Sequence, residues 1–376
     1  MRYPEFLDKN GTIGFVAPSF GCNIEPYRSA FGNAQKKLAA LGHSFDIGPN
    51  CYAGEGIGIS NTPQKCGSEL TEYYCSDKND VLISCGGGEL MCETLDYVDF
   101  DRIKAAKPKW YMGFSDNTNF TFLLTTICDV ASIYAPCAAS FGMEPWHQSI
   151  QDAYDILTGS KDTVGGYPLW EKEGIRDEEH PYLPYNLTEK RELHYYLPAG
   201  KSSNSTDMGL KNESADNRLR NDKEIDGSSV KRGIDVEFAG RLVGGCMDCL
   251  VNLVGTNFDH VAEFNERYAD EGIIWFLEAC DLNVMSIRRA LWNLEHAGWF
   301  KNVKGFLIGR PLCFGSELMG MNQYNAVTGV LAKYNVPIIM DLDIGHLSPM
   351  MPLVCGSYAR VQAKGNDISI RMNEKA

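Results

Sequence analysis

Three residues stand in the chain order nucleophile, carboxylate, histidine, each just beyond a short apolar run: Ser115, Glu278 and His346. A serine hydroxyl is a weak nucleophile at neutral pH. It needs a base to take its proton and, where that base is histidine, a carboxylate to hold the imidazole's tautomer and orientation. Ser115 lies in Tyr-Met-Gly-Phe-Ser-Asp-Asn-Thr-Asn-Phe, residues 111–120, between a strand over Trp110–Met112 and a helix starting near Asn117. At such a corner the hydroxyl is lifted clear of the sheet, and the Asp116 N–H faces the same side as the helix N-terminus. The usual Gly-x-Ser-x-Gly spelling is missing, and from this stretch alone a helix-capping Ser115 or Asp116 is the commoner role.

Glu278 ends the run Ile274-Trp275-Phe276-Leu277, where a carboxylate is costly unless paired. His346 sits in Asp341-Leu-Asp-Ile-Gly-His-Leu-Ser-Pro-Met350, again after a strand. Cys85-Gly86-Gly87-Gly88-Glu89 follows Val81–Ser84, and its glycines let backbone N–H groups point at a developing oxyanion, although a tight turn accounts for the triplet equally well. Cys246-Met-Asp-Cys249 has redox or zinc spacing but no second pair nearby, so packing is the better reading. Asp341, Asp343 and His346 fit capping better than a metal, and no P-loop or dinucleotide fingerprint occurs.

Strands and helices must place these residues. The first 140 residues alternate between the two: Thr12–Ala17, a helix from Tyr27 to Leu41, Ser44–Ile47, a helix near Pro63–Ser76, then Val81–Ser84 and Trp110–Met112. That alternation predicts βαβ units in a mostly parallel sheet, whose ligand sites lie beyond the carboxyl ends of the strands. From about Thr163 to Arg232 the texture turns polar. An insertion is expected there, its first half packed through Trp170, Tyr182, Tyr185, Tyr195 and Tyr196, its second half exposed. The α/β pattern resumes with Ile273–Leu277, a helix Val284–His296, Gly305–Ile308, a helix near Tyr324–Tyr334 and Pro337–Met340, and the tail alternates like a hairpin. The expected layout is an α/β domain over residues 1–160 carrying the serine, a polar insertion over 161–238, and a second α/β domain over 239–376 carrying Glu278 and His346.

With 376 residues, 44% of them hydrophobic and 22% charged, the chain has the composition of an ordinary globular protein. A net charge of −14 gives no basic stripe to neutralise phosphates, which argues against a nucleic-acid partner. No run approaches the ~20 apolar residues of a membrane span. The amino-terminal stretch lacks the apolar segment of a signal peptide, and the 13 cysteines are scattered through apolar runs, as reduced thiols would be. A cytoplasmic protein with no membrane partner is expected, so the sequons at Asn186, Asn204 and Asn212 carry little weight.

At this point the residues resemble the LD-carboxypeptidase family, which includes the microcin C self-immunity proteins. The resemblance runs through Ala17-Pro-Ser19, Gly87-Gly88, Leu95–Phe100, Lys107-Pro-Lys109, Gly113–Thr118, Gly240–Gly245, Trp275–Glu278, Val303–Gly309 and Gly345-His346. Apart from the insertion it covers nearly the whole chain in order. It implies a serine peptidase with Ser115, Glu278 and His346 as its triad, backbone N–H groups of Asp116 and of the Gly87-Gly88 loop as oxyanion hole, and no metal or cofactor. The implied fold is a doubly wound, Rossmann-like parallel α/β domain followed by a smaller C-terminal α/β domain, usually as a homodimer.

Substrate expectations rest on details of the resemblance. Tyr134-Ala-Pro136 leans towards the immunity group, and Leu169-Trp-Glu-Lys-Glu173 looks like that group's aromatic and acidic loop, whose tryptophan contacts a nucleotide base. Cys280-Asp281 and Val354-Cys-Gly356 depart from both patterns. Tyr134, Trp170 and Glu89 are the expected substrate contacts, and the expected substrate is a murein tetrapeptide or a peptidyl or aminoacyl nucleotide of the microcin type. The alternatives are an inactive binder of peptide or nucleotide with the same fold, and a glutamine-amidotransferase-like enzyme, which would use cysteine where this chain has serine.

Overall fold

The computed structural model describes residues 1–198 and 235–373. The expected exposed half of the insertion, with Asn204 and Asn212, lies outside the described residues.

Five strands open the chain: β1 (Thr12–Val16), β2 (Ser44–Ile47), β3 (Val81–Ser84), β4 (Trp110–Gly113) and β5 (Ser132–Tyr134). Apart from β2 they are almost wholly buried apolar runs, as strands covered on both faces must be. They pair in parallel in the order β5-β4-β3-β1-β2. This is a doubly wound order whose connections diverge between β1 and β3, and ligands of such sheets bind beyond the carboxyl ends at that divergence. Helices Tyr27–Ala40 and Pro63–Cys75 form the first two crossovers, and Thr62 with Pro63 gives the second a capped start.

The insertion supplies β6 (Thr163–Gly165), β7 (Leu169–Trp170), β8 (Glu189–Lys190) and β9 (His194–Tyr196). The later chain forms β10 (Asp235–Cys246), β11 (Ile273–Glu278), β12 (Val303–Gly309), β13 (Ile338–Leu342), β14 (Leu353–Cys355), β15 (Tyr358–Lys364) and β16 (Asp367–Asn373). In the second sheet β10, β11, β12 and β13 are parallel, the hairpin β15-β16 lies antiparallel beside β10, and β6 and β9 close the two edges. This sheet therefore has eight strands against six in the first, because strands of the insertion extend it. The exchange also runs the other way: β14 pairs antiparallel with β5 and completes the first sheet.

One buried cluster runs through both sheets. Helix Thr118–Thr126, which follows Ser115, is buried along its whole length, and its Phe122 stacks on Trp299 at 5.3 Å between ring centroids and lies 6.1 Å from Trp275. A fully buried Phe contributes about 1.5–3 kcal/mol. Gly245 makes this docking possible, since a Cβ there would stand 2.5 Å from Thr118 Cγ2, and the Cys246 N–H donates to Thr118 Oγ1 at 2.9 Å.

The packed half of the insertion follows the expectation for Tyr185, Tyr195 and Tyr196, which lean on the core, whereas Tyr182 is exposed. A buried ion pair anchors it. Asp343 pairs with Arg310, both essentially inaccessible, and also accepts the Tyr167 N–H at 2.7 Å.

Candidate active site

The strand β4 ends at Gly113, and the chain turns through Ser115 into a short 3-10 turn and then helix Thr118–Thr126. Ser115 holds φ 62°, a left-handed conformation that costs a non-glycine residue about 1–2 kcal/mol. The corner is held from below. Asp116 is buried and its carboxylate accepts Ser19 Oγ at 2.6 Å, the Met91 N–H at 2.9 Å and Asn119 Nδ2 at 3.0 Å, while Asn117 Nδ2 donates to the carbonyls of Gly86 and Phe114. Burial raises the Asp116 carboxyl, and those hydrogen bonds pull the other way.

His346 Nε2 stands 2.8 Å from Ser115 Oγ, and its Nδ1 stands 3.0 Å from Glu278 Oε2. Glu278 is the last residue of β11 and fully buried; His346 lies in the loop after β13. Gly345, at φ +105°, lets that loop pass so close that a Cβ would meet Glu278 Oε2 at 2.6 Å. Burial alone would raise the Glu278 carboxyl, but the charge and hydrogen bond of His346, with Tyr134 and Cys246, hold it below the ordinary carboxylate value. Burial lowers the imidazole, and the Glu278 carboxylate together with Cys280 overcomes this and raises His346 above the ordinary histidine value. The site thus favours a carboxylate–imidazolium pair, the charge arrangement that follows when a serine gives up its proton.

The Gly86–Gly88 loop adjoins the serine at Gly87, where a Cβ would stand 3.2 Å from Ser115 Oγ. Gly88 instead faces Ser19 and Gly58. The Asp116 N–H belongs to the first turn of the 3-10 segment, where helical N–H groups have no intrahelical acceptor. Glu89 is exposed nearby, its carboxyl raised by partial burial and by Asp281, Asp116 and Asp248.

A cavity of about 270 Å³ opens beside His346, lined by Phe114, Glu171, Arg176, Tyr185 and Met350 among others. A larger one, about 690 Å³, lies at the opposite end of the first sheet between Tyr3–Asp8 and Lys107–Lys109, away from the triad. Two expected substrate contacts are placed otherwise. Trp170 is 4% exposed, covered on one face by the Arg310 guanidinium at 4.9 Å and met edge-on by Phe314, with Nε1 donating to the Lys190 carbonyl. Trp170 thus covers one side of the buried Arg310–Asp343 pair, and the next residue, Glu171, lines the cavity. Tyr134 is fully buried, and its hydroxyl donates to Glu278 Oε1 at 2.7 Å.

Several neighbours of the triad were not expected at the site, among them two residues of the Cys246-Met-Asp-Cys249 stretch read as packing. The Asp248 carboxylate accepts the N–H groups of both Cys280 and Asp281 and so fixes the chain just past Glu278. Cys249 Sγ lies 3.6 Å from the Ser115 carbonyl oxygen. Arg176 carried no sequence signal; Asp248 could have been found as a second carboxylate following a strand, that is, β10.

Comparison with known proteins bears on the family and the fold. Residues 13–135 match the LD-carboxypeptidase N-terminal domain and residues 239–361 match the LD-carboxypeptidase C-terminal domain, together more than half of the chain. The microcin C7 self-immunity protein of Escherichia coli is 23% identical over 317 residues, 83% of this chain and 79% of that protein. A putative carboxypeptidase of Treponema pallidum is 20% identical over 370 residues, 98% and 94% of the two chains. Among solved structures, the microcin C7 self-immunity protein in complex with aspartyl sulfamoyl adenosine superposes with a TM-score of 0.74 at 20% identity, all of both chains being covered. A related protein from Streptococcus pneumoniae in complex with AMP gives 0.70 at 18% identity over 96% of this chain and 99% of that one. This chain belongs to the LD-carboxypeptidase family.

Proposed function

We propose that the chain is a serine amide hydrolase in which Ser115 attacks a carbonyl carbon, His346 takes the hydroxyl proton and returns it to the leaving amine, and Glu278 steadies the imidazolium. The observation that carries this reading is the unbroken run Ser115 Oγ, His346 Nε2, His346 Nδ1, Glu278 Oε2, at 2.8 and 3.0 Å. The oxyanion formed on attack would meet the Asp116 N–H and the Gly87 end of the glycine loop, with the positive end of helix Thr118–Thr126 behind them. The proposed substrate is a peptidyl or aminoacyl nucleotide. Relatives of this fold have been seen with aspartyl sulfamoyl adenosine and with AMP, and the cavity beside His346 offers aromatic faces together with one acidic and one basic side chain. A murein tetrapeptide is the competing substrate, favoured by the family match itself.

Mass spectrometry of products from a peptidyl sulfamoyl adenosine and from a murein tetrapeptide, with wild-type protein and Ser115→Ala, tests both parts. Loss of the nucleophile should lower the rate by about 10⁴-fold or more. Equal cleavage by Ser115→Ala would remove the mechanism, and cleavage of the tetrapeptide alone would remove the nucleotide assignment.

A further inference from the structure

Glu278 divides its two carboxylate oxygens between the two sheets. Oε2 faces His346 Nδ1 at 3.0 Å, and Oε1 accepts the Tyr134 hydroxyl at 2.7 Å. Tyr134 is the last residue of β5, paired with Gly113 at the end of the strand that leads to the nucleophile. Its ring is wedged between Phe276, 5.4 Å away, and Phe114, 6.4 Å away and edge-on. The same hydroxyl oxygen accepts the N–H of Ser115 at 3.3 Å. A phenol has one O–H to donate and lone pairs to accept with, so this pairing uses the donor on the carboxylate and a lone pair on the serine backbone. Burial first, and then the Glu278 charge, keep the phenol protonated.

We propose that Tyr134 is a positioning residue for the hydrolysis: its hydroxyl fixes the Glu278 carboxylate for His346 and fixes the backbone of Ser115, referring both ends of the triad to one atom. This inference rests on the triad reading above. It accounts for a fully buried tyrosine whose hydroxyl donates to one member of the triad and accepts from another. It also occupies the Ser115 N–H, so the oxyanion must be met by Asp116 and the glycine loop. Because the O–H shares the carboxylate's charge, its removal should leave Glu278 more basic and hold the proton on His346 more tightly.

Other ionisable groups face this pair. Cys280 lies against His346; Cys246, with Cys249 beside it, lies against Glu278; Glu89 approaches His346 from the glycine loop, with Asp116, Asp248 and Asp281 around it. Tyr134→Phe leaves all of these and every ring contact in place. A change in the His346 titration in that variant therefore reports the hydroxyl.

The experiment is an NMR titration of ¹⁵N-histidine-labelled protein, wild type and Tyr134→Phe, with His346→Gln to assign the resonance and circular dichroism to check folding. Steady-state kinetics follow on whichever substrate the cleavage screen identifies. In Tyr134→Phe the His346 midpoint should rise by about half to one pH unit, kcat should fall roughly 10- to 100-fold as a hydrogen bond to a charged group is lost, and KM should change little. An unmoved midpoint overturns the inference, whether or not kcat falls, since a merely structural role would leave the imidazole's proton affinity alone. The hydrolase reading fails separately, if Ser115→Ala cleaves as well as wild type.

Discussion

His346 answers to two demands that pull in opposite directions. As the proposed base towards Ser115 it must be neutral, yet the Glu278 carboxylate and Cys280 outweigh burial and favour its protonated form. Because only the neutral imidazole accepts the serine proton, kcat/KM should climb with pH and keep climbing beyond about 6.5, where an ordinary histidine has already lost half its charge. Glu278→Gln removes the attracting charge, so the midpoint should move down to about 6.5 or below, while the rate falls about 10³-fold or more as the imidazole loses its orientation. A pH–rate profile of both proteins checks this, and a midpoint that stays put would mean that Glu278 does not set the charge of His346. The same shifts bear on stability. The depressed Glu278 contributes above the ordinary carboxylate pKa and loses its contribution as pH falls through its own lowered value; the raised His346 contributes below about 6.5 and loses its contribution as pH rises through its raised value. The pair is thus most stabilising between about pH 4.3 and 6.5.

The strand-to-helix corner is where function is set against local stability. Ser115 at φ 62° carries a Cβ where glycine would rest without strain, and the hydrogen bonds around Asp116 and Asn117 hold it there. Comparing Ser115→Gly with Ser115→Ala isolates this strain, since both lose the hydroxyl and only one keeps the Cβ. The glycine variant should be the more stable by about 1 kcal/mol in urea denaturation, and both should be inactive. Equal stabilities would show that the turn stores no strain. The glycine loop and the loop at Gly345 serve the same corner from two other strands, by letting backbone come close to Ser115 and to Glu278.

The two sheets are not independent bodies. β14 leaves the second half of the chain to pair with β5, the chain returns at once into β15 and β16 of the second sheet, and Phe122 of the first half stacks on Trp299 of the second. Unfolding should therefore be one transition, coincident by tryptophan fluorescence and circular dichroism, because Trp110 reports one sheet and Trp275 and Trp299 the other. Arg310→Met, which leaves the buried Asp343 carboxylate with only the longer Arg191 ion pair at 3.8 Å, should shift that whole transition by about 3 kcal/mol. Two separated transitions, or a shift confined to one probe, would mean that the halves fold on their own.

Local pattern was enough to find much of this molecule. Apolar runs bounded by glycine and polar residues marked most strands within a residue or two, and the helix Val284–His296 at its observed ends. The candidate site was legible for a related reason: in a parallel sheet polar residues just beyond strand ends gather on one edge, so Ser115, Glu278 and His346 could be picked as candidates before their distances were known. Pairing partners were not legible, because they join segments far apart in the chain through backbone groups that every residue carries. Nothing local says that Leu353–Cys355 belongs beside Ser132–Tyr134, or that Thr163–Gly165 and His194–Tyr196 close the second sheet. Nor does residue type reveal which way an amphipathic side chain will face. Trp170 and Tyr134 looked like ligand contacts, and the fold buries both: one covers the Arg310 charge, and the other spans 144 residues of chain to reach Glu278. A buried charge or hydroxyl must find its partner wherever folding brings one, and that choice is made only when the two sheets pack together.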